Sequence, residues 1–324
     1  MSFFLIIGLG SIGKRHLENL VALGHENIII VSKSNQKNQN FRTYTNIVDA
    51  ISENLISHAF ICTSTASHHE DLKILLENKI QNIYLEKPIS NNLKFLDKII
   101  PELLENCTRL VVGYDLHFDK GLNKIKQIIQ DGTLGKIYSL NAVVGQYLPD
   151  WRPNQDYKLG MSAKIDAGGG VMLDLIHEFD YIRWLIGKPT LIASLHQNNP
   201  ELAIETEDIA DVLIQFENNS TATIHLDYHQ KTLVRNCMIT CEKATVFWDL
   251  PTQEVRIVYK SGTPETFSFD KYSRNERYVA ILKAFLDNSK FDSRLTTFNE
   301  ALISLKMVVA AKESSILKKM IILN

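Results

Sequence analysis

The chain has 324 residues, of which 45% are hydrophobic and 22% charged, and its formal net charge is −2. The length predicts two domains, and the composition is typical of a globular protein with a sizeable core. Because the charge is nearly balanced and no apolar run is long enough to span a bilayer, the sequence argues against nucleic-acid and membrane partners.

The N-terminus and the cysteines predict a cytoplasmic protein. Residues 1–10 contain no basic side chain and lead directly into glycines, which indicates a buried strand rather than a signal peptide. The cysteines are scattered and lack a second ligand pair, so that we expect reduced core thiols and no metal site; they are Cys62, Cys107, Cys237 and Cys241.

A glycine motif joins the first predicted strand to the first predicted helix. An apolar run leads into Gly8-Leu-Gly-Ser-Ile-Gly13, and a helical pattern follows. Gly8 permits a tight turn, Gly10 lets a pyrophosphate approach the backbone, and Gly13 lets helix and strand pack closely. The first helical amides, at Ser11 and Ile12, add an anion site. The motif predicts dinucleotide binding, the alternative being a plain strand–turn–helix.

The first third of the chain alternates strands and helices, which predicts a parallel sheet covered by helices. Strands are predicted at 3–8, 27–32, 58–62, 82–85 and 109–113, and helices at 11–23, 47–53, 67–79 and 92–106.

The pattern changes after Asp119. The sequence predicts a helix at 120–130, a strand at 137–147, a helix at 171–186, alternating strands over 190–270, and helices at 275–287 and 297–318. The expected α/β fold is therefore an N-terminal Rossmann domain with a parallel sheet (1–118), followed by an α+β domain with a mainly antiparallel, open-faced sheet (119–324).

The end of the second predicted strand bears on the choice of cofactor. In NAD sites an acid at this position usually binds the ribose 2′-hydroxyl. Here Ser32, Lys33 and Ser34 occur, and no Asp or Glu follows before Asp49. Hydroxyls around a Lys suit a 2′-phosphate, so that NADP(H) is favoured. The alternative is NAD(H) with relaxed specificity, Lys33 being a solvated loop residue.

Two further motifs carry candidate catalytic residues. Glu86-Lys87-Pro88 follows a strand at the carboxyl edge of the predicted sheet, where Lys87 can hydrogen-bond a substrate hydroxyl. In the predicted helix 171–186, Asp174 and His177 are three residues apart and share a face. His177 can accept the hydroxyl proton as hydride leaves, and Asp174 can orient the imidazole. The alternative for Glu86-Lys87-Pro88 is a surface turn, and the alternative for His177 is a histidine that only packs in the core.

Taken together, these motifs resemble the Gfo/Idh/MocA oxidoreductases (glucose–fructose oxidoreductase, inositol dehydrogenase and relatives). The resemblance extends over nearly the whole chain and rests on the segments 8–13, 62–68, 86–88, 112–118, 132–136 and 168–184. It implies a Rossmann domain, an α+β domain whose open sheet forms oligomers, and NAD(P)-dependent hydride transfer at a sugar or polyol carbon. We therefore expect a sugar or sugar-derivative substrate and a homodimer or homotetramer formed through the C-terminal sheet.

The resemblance also implies roles for single residues. Lys87 corresponds to the active-site Lys of the family and His177 to its proton-accepting His, and we expect them to converge beside the nicotinamide. The loop near the cofactor corresponds to Thr63, Ser64, Thr65 and His68, and Glu86 adjoins the same site.

The sequence departs from the family pattern in two places. Many members carry an acid four residues before the His, where this chain has Leu173, so that the role of Asp174 stays open. In the segment 112–118, Asp115 and His117 replace the usual Asn and Arg, so that substrate contacts there are expected to differ. The expected substrate-binding residues are Tyr114, Asp115, Trp151, Arg152 and Tyr157, the last three in a segment that resembles a bacterial surface-sugar biosynthesis subgroup; the alternative for those three is loop packing.

Two other functions are compatible with the resemblance. One is redox-assisted elimination or hydrolysis with tightly bound NAD, and the other is a non-catalytic NAD(P)-binding regulator. The presence of both Lys87 and His177 favours an enzyme over a regulator.

Overall fold

The computed structural model describes residues 2–32, 40–94, 96, 99, 108–269, 272–287, 289 and 291–323. The chain forms two compact units, one of Met1–Tyr114 with Tyr278–Leu302 and one of Asp115–Arg277 with Ile303–Asn324. The expected division at 118/119 does not include Tyr278–Leu302, which belongs to the first unit although it lies near the end of the chain. That segment returns there because Thr296 and Thr297 pair with the strand Arg109–Val112.

The first unit is built around a seven-stranded sheet. Its strands are β1 Phe3–Ile7, β2 Ile28–Val31, β3 Arg42–Tyr44, β4 Ile56–Ile61, β5 Asn82–Leu85, β6 Arg109–Val112 and β15 Thr296–Thr297. The order β3-β2-β1-β4-β5-β6 is parallel throughout, and β15 adds an antiparallel edge. This is the doubly wound dinucleotide-binding order, in which the chain direction across the sheet reverses between β1 and β4.

Burial on both faces explains why these strands are apolar. All four residues of β2 are at most 5% exposed, as expected for a parallel strand covered by helices on both sides. The helices between the strands include α1 Ser11–Ala22, α2 Ile47–Glu53 and α3 His68–Glu77. The predicted helix 92–106 falls mostly outside the described residues.

The second unit contains a nine-stranded sheet. Its strands are β7 Ile137–Gly145, β8 Pro189–Gln197, β9 Ile209–Phe216, β10 Thr221–Asp227, β11 Val234–Cys241, β12 Ala244–Asp249, β13 Glu254–Tyr259, β14 Glu265–Ser268 and β16 Ile321–Ile322. The order is β14-β13-β12-β11-β7-β10-β9-β8-β16, and among the pairs only β7 and β10 are parallel. Its helices are α4 Lys120–Gln130, α5 Val171–Asp174 and α6 His177–Ile186. Two more described helices, α7 Arg274–Leu286 and α8 Phe298–Leu317, each have residues in both units.

One face of the nine-stranded sheet is packed and the other is open. Along β9, alternate residues from Ala210 to Phe216 are buried, whereas Asp211, Leu213 and Gln215 between them are exposed. On the packed face, the indole of Trp248 lies against Gly121 of α4, where an added Cβ would stand 2.6 Å from the ring. The expected α/β fold with an open-faced antiparallel sheet is thereby confirmed.

The segment 171–186 differs from the prediction of one continuous helix. Helix α5 ends at Asp174, Leu175 leaves helical geometry with φ −100° and ψ 29°, and α6 begins at His177. Asp174 and His177 therefore belong to different helices, and the shared-face argument does not hold for them. In the described ranges, no helix combines the length and the apolar character needed to cross a membrane.

Candidate functional site

The glycine turn after β1 has the geometry of a dinucleotide site. Gly8 has φ +91°, and a Cβ there would lie 2.8 Å from the Cys62 carbonyl; a Cβ on Gly13 would lie 2.0 Å from the Gly8 oxygen. Only glycine fits either position. At Gly10, by contrast, no atom lies within 4 Å of the Cβ position. The open space stands at the first turn of α1, so that this turn fits a pyrophosphate bound by helix amides.

The residues that the sequence predicts to contact the cofactor around this turn differ in exposure. Ser11 is exposed and Ile12 is partly exposed at the start of α1. Ser32, directly after β2, is 5% exposed, and its backbone N–H donates to Tyr44 O at 3.0 Å. Lys33 and Ser34 lie outside the described residues, so that the cofactor preference derived from them stays a prediction.

The loop after β4 is held by side-chain hydrogen bonds. Thr63 Oγ1 donates to Asp71 Oδ2 at 2.6 Å, and the hydroxyl oxygens of Ser64 and Ser67 are 3.3 Å apart. Thr65 is 2% exposed. These bonds fix the loop that follows the strand next to β1, where the sequence predicts cofactor contacts.

His68 links two loops of this sheet edge. Its Nδ1 lies 2.7 Å from Pro88 O and its Nε2 lies 3.2 Å from Thr63 O. Burial lowers the pKa of His68, although the two carbonyl groups act in the opposite direction. The loop after β4 and the Glu86-Lys87-Pro88 turn after β5 are therefore tied together by one buried imidazole.

The turn that carries Lys87 is anchored on both sides. Glu86 is 6% exposed, and its Oε1 lies 2.7 Å from Nε2 of His16, a fully buried residue of α1. His68 contacts the carbonyl oxygen of Pro88 on the other side. Lys87 itself is partly exposed. The Glu86 carboxylate is thus engaged by His16, a partner that sequence reasoning missed.

In the second unit, Asp115 is the carboxylate that faces the Nε2 atom of His177. His177 is 6% exposed, and its Nε2 lies 3.5 Å from Asp115 Oδ1. The other oxygen of Asp115 accepts a hydrogen bond from Arg277 Nε at 2.9 Å. Asp174, the expected partner, accepts a hydrogen bond from the Tyr228 hydroxyl at 2.7 Å.

Asp115 and Glu178, two buried acids near His177, are each paired with an arginine. Glu178, fully buried, accepts two hydrogen bonds from the Arg235 guanidinium at 2.8 and 2.7 Å. Burial opposes ionisation of Asp115, but Arg277, His177 and two further arginines outweigh it and hold the pKa of this carboxyl well below its usual value. Burial and the neighbouring Asp174 carboxylate raise the pKa of Tyr228 well above its ordinary range.

His117, which stands in the segment 112–118 where the family usually has Arg, is engaged inside the unit. Its Nε2 lies 2.7 Å from Asp180 Oδ2, and its ring stacks on Trp184 with centroids 4.3 Å apart. Ser304 Oγ and the Arg183 guanidinium complete the surroundings of Asp180, at 3.0 and 3.4 Å. His117 and Asp180 are 1% exposed, which indicates a structural pair.

The other expected substrate-binding residues differ in exposure. Tyr114 is fully buried, whereas Arg152 is exposed. Trp151 Nε1 donates to Gln146 O at 3.2 Å, and the Tyr157 hydroxyl donates to Leu202 O at 3.1 Å. The polar atoms of Trp151 and Tyr157 thus take part in loop packing, and Arg152 presents the accessible cation of this segment.

The chain matches two family models. Residues 3–114 match the model described as "Oxidoreductase family, NAD-binding Rossmann fold", and residues 122–247 match "GFO/IDH/MocA C-terminal domain". The two matches together cover more than two thirds of the chain.

Curated relatives include dehydrogenases of inositol. The chain is 29% identical to myo-inositol 2-dehydrogenase of Thermotoga maritima over 194 residues, which covers 56% of this chain and 54% of that protein. It is also 29% identical to the uncharacterized oxidoreductase YrbE of Bacillus subtilis over 234 residues, which covers 68% of this chain and 65% of YrbE. The aligned part therefore spans between about half and two thirds of these relatives.

Solved structures share the fold over nearly the full length. Myo-inositol 2-dehydrogenase from Lactobacillus plantarum superposes with a TM-score of 0.83 at 20% identity, covering 100% of this chain and 99% of that one. Levoglucosan dehydrogenase in complex with NADH and levoglucosan gives a TM-score of 0.87 at 15% identity, covering 99% of both chains. The chain belongs to the Gfo/Idh/MocA oxidoreductase family, and its first unit is that family's NAD-binding Rossmann domain.

Proposed function

We propose that this protein is an NAD(P)-dependent dehydrogenase that transfers a hydride between the nicotinamide and a carbon of a sugar or sugar derivative, such as a nucleotide sugar or an acidic sugar. The observation that carries the proposal is the glycine turn, whose open Gly10 lies at the reversal between β1 and β4. The names of the inositol and levoglucosan dehydrogenases among the relatives support a polyol or sugar substrate.

The mechanism assigns separate tasks to Lys87 and His177. Lys87 hydrogen-bonds the substrate oxygen and stabilises the negative charge that develops on it. His177 accepts the hydroxyl proton during oxidation and returns it during reduction. When bound, the nicotinamide supplies the hydride acceptor or donor. Asp174 remains a proposed residue of this site, and its carboxylate accepts a hydrogen bond from the Tyr228 hydroxyl.

The proposed substrate contacts lie in two segments. Arg152 is exposed and can bind a carboxylate or phosphate of an acidic or nucleotide sugar. Trp151 and Tyr157 offer aromatic faces for a sugar ring, since their polar atoms are already bonded to Gln146 and Leu202. Tyr114 and Asp115 are proposed to shape the site from the segment 112–118.

We propose NADP(H) as the preferred cofactor, on the basis of Ser32, Lys33 and Ser34. A lysine flanked by hydroxyls suits the doubly charged 2′-phosphate, and the acid that selects the 2′-hydroxyl is missing from the sequence before Asp49. The proposed compartment is the cytoplasm, where thiols remain reduced. The free, buried Cys62, Cys237 and Cys241 support it.

We also propose that the open face of the nine-stranded sheet forms a homodimer or homotetramer. Leu195 is 68% exposed, Leu213 45% and Met238 36%, all on that face. Leu195 and Leu213 line a depression of about 670 Å³ on this face. An apolar face of this kind on a folded domain is typical of a protein–protein interface.

Replacing Gly10 separates cofactor binding from folding. Gly10 has φ −70° and ψ −168°, which any residue adopts, and its Cβ position is open. We expect Gly10→Leu to fold normally but to weaken NADH and NADPH at least about tenfold, because the side chain fills the pyrophosphate space. Gly13→Ala, whose Cβ would meet Gly8 O at 2.0 Å, should lower the melting temperature instead. Fluorescence titration and thermal unfolding check both, and unchanged affinity in Gly10→Leu would contradict the site.

Lys33 is expected to determine cofactor preference. A charge-assisted hydrogen bond contributes about 1.5–3 kcal/mol, so that Lys33→Ala should weaken NADPH roughly tenfold or more and leave NADH nearly unchanged. Lys136→Ala, which removes an exposed charge of the second unit, serves as the control. Dissociation constants for both cofactors decide the matter. Equal losses, or a native preference for NADH, would show that this segment does not bind the 2′-phosphate.

Lys87 and His177 are expected to control turnover rather than cofactor binding. Lys87→Ala and His177→Ala should each lower kcat by about 10²–10⁴, the first through loss of charge stabilisation and the second through loss of positioned proton transfer. Lys188→Ala, which removes an exposed lysine paired with Glu217, should leave kcat unchanged. Steady-state rates with myo-inositol, nucleotide sugars and acidic sugars provide the measurement. A fully active His177→Ala enzyme would refute its role, and NAD regenerated in each cycle without net turnover of free cofactor would indicate elimination chemistry.

A charge placed on the open sheet face should prevent self-association. Leu213→Lys puts an ammonium group in the middle of the proposed interface, where it would be buried without a partner. We expect this variant to elute as a monomer under light-scattering detection. Leu55→Lys, at a 70% exposed leucine of the first unit, provides the matched control. A monomeric wild-type protein would rule out this assembly.

A further inference from the structure

The carboxylate of Asp115 is shared between a histidine and an arginine. Its Oδ1 lies 3.5 Å from His177 Nε2, and its Oδ2 accepts a hydrogen bond from Arg277 Nε at 2.9 Å. Asp115 is 2% exposed, so that both contacts lie in the interior of the second unit. The position four residues before His177, where many family members have an acid, is the buried Leu173.

We propose that Asp115 is the positioning residue of His177, in place of the acid missing at Leu173. Its carboxylate orients the imidazole and stabilises the imidazolium that forms when His177 accepts the substrate proton. The inference rests on the proposed function, because it gives His177 the proton-accepting role. In this role Asp115 acts through His177.

The arrangement of charges supports this assignment. The attraction between Asp115 and His177 is one of the interactions that keep Asp115 ionised despite its burial. Because such an interaction is mutual, the same attraction stabilises the protonated form of His177. The separation of 3.5 Å is long for a hydrogen bond but short for a charge pair, and contacts of this kind often shorten when substrate binds.

The surrounding charges determine what the loss of the carboxylate would do. Arg277 and Arg274 of α7 and Arg235 of β11 act on Asp115, and Arg235 is itself neutralised by Glu178 of α6. Asp119 lies 3.8 Å from Arg277 NH1. Without the Asp115 carboxylate, His177 would stand in a site where the buried Arg277 disfavours a further positive charge. Removal of Arg277 would have the opposite effect.

A purely structural ion pair between Asp115 and Arg277 makes a different prediction. Breaking such a pair would lower stability, because it leaves a buried charge without its partner. It would leave the plateau kcat of the folded variant close to that of the wild type. The plateau kcat therefore distinguishes the two roles, and the titration of His177 shows whether the carboxylate acts on the imidazole at all.

The test follows the histidine signals of the cofactor-free protein by NMR as a function of pH. The His177 signal is assigned by its loss in His177→Gln. We expect Asp115→Asn to lower the midpoint of the His177 titration by about one pH unit or more, and Arg277→Gln to raise it. Asp180→Asn, which removes the buried partner of His117, is the matched control and should leave the His177 midpoint in place.

Two outcomes would overturn the proposal. One is a His177 midpoint that is the same in Asp115→Asn and wild type, and the other is an equal shift in Asp180→Asn. Should Asp115→Asn fail to fold, Arg277→Gln with an unchanged midpoint refutes the proposal by itself.

In kinetics, Asp115→Asn should lower the plateau kcat about tenfold or more and move the acidic limb of the pH profile to lower pH. Because the NMR titration needs neither cofactor nor sugar, a failure of the proposed function remains distinguishable from a failure of this inference.

Discussion

The first unit depends on the close approach of Gly13 to the carbonyl oxygen of Gly8. With only 2.0 Å between that oxygen and a Cβ on Gly13, no other residue lets the first turn of α1 pack against the end of β1. The contact places the start of α1 beside the reversal of strand order between β1 and β4. The same reversal puts the loop after β4 next to the glycine turn, since Gly8 also contacts the Cys62 carbonyl. The proposed anion site at the start of α1 is therefore a consequence of backbone packing and not of any charged side chain.

The second unit depends on a different constraint, the pairing of buried charges. Its buried acids Asp115, Asp180 and Glu178 each have an arginine or a histidine within ion-pair distance. Asp119 combines several roles, since it caps α4 through Leu122 N and accepts a hydrogen bond from Trp248 Nε1, both at 3.0 Å. An unpaired charge at such depth would be strongly destabilising, so that each acid restricts where its partner can lie. The proposed catalytic histidine, His177, lies beside one of these pairs, so that the position of Asp115 helps to fix the surroundings of its imidazole.

The sequence predicted the elements whose patterns are local. The parallel strands of the first unit are continuous apolar runs, as in β2. In the second unit, buried and exposed residues alternate along a strand, as in β9. Strands β3 and β15 escaped prediction because three and two residues are too few to show a period. The break at Leu175 was hidden by a pattern compatible with one helix. The pairs His16–Glu86 and Asp115–His177 join residues far apart in the chain, and no spacing rule connects such residues. For the same reason the sequence did not predict the hydrogen bond that Asp174 accepts from the Tyr228 hydroxyl.

The two buried histidines around Lys87 have a consequence for binding energy. His16 fixes the side chain of the residue before Lys87, and His68 fixes the carbonyl of the residue after it. A lysine on a loose turn would lose backbone freedom each time a substrate bound, and that entropy would be subtracted from affinity. Here the freedom is lost when the chain folds, before any ligand arrives. In the proposed role of Lys87, substrate binding therefore does not have to order the backbone of this turn, so that more of the binding energy remains available for the reaction itself.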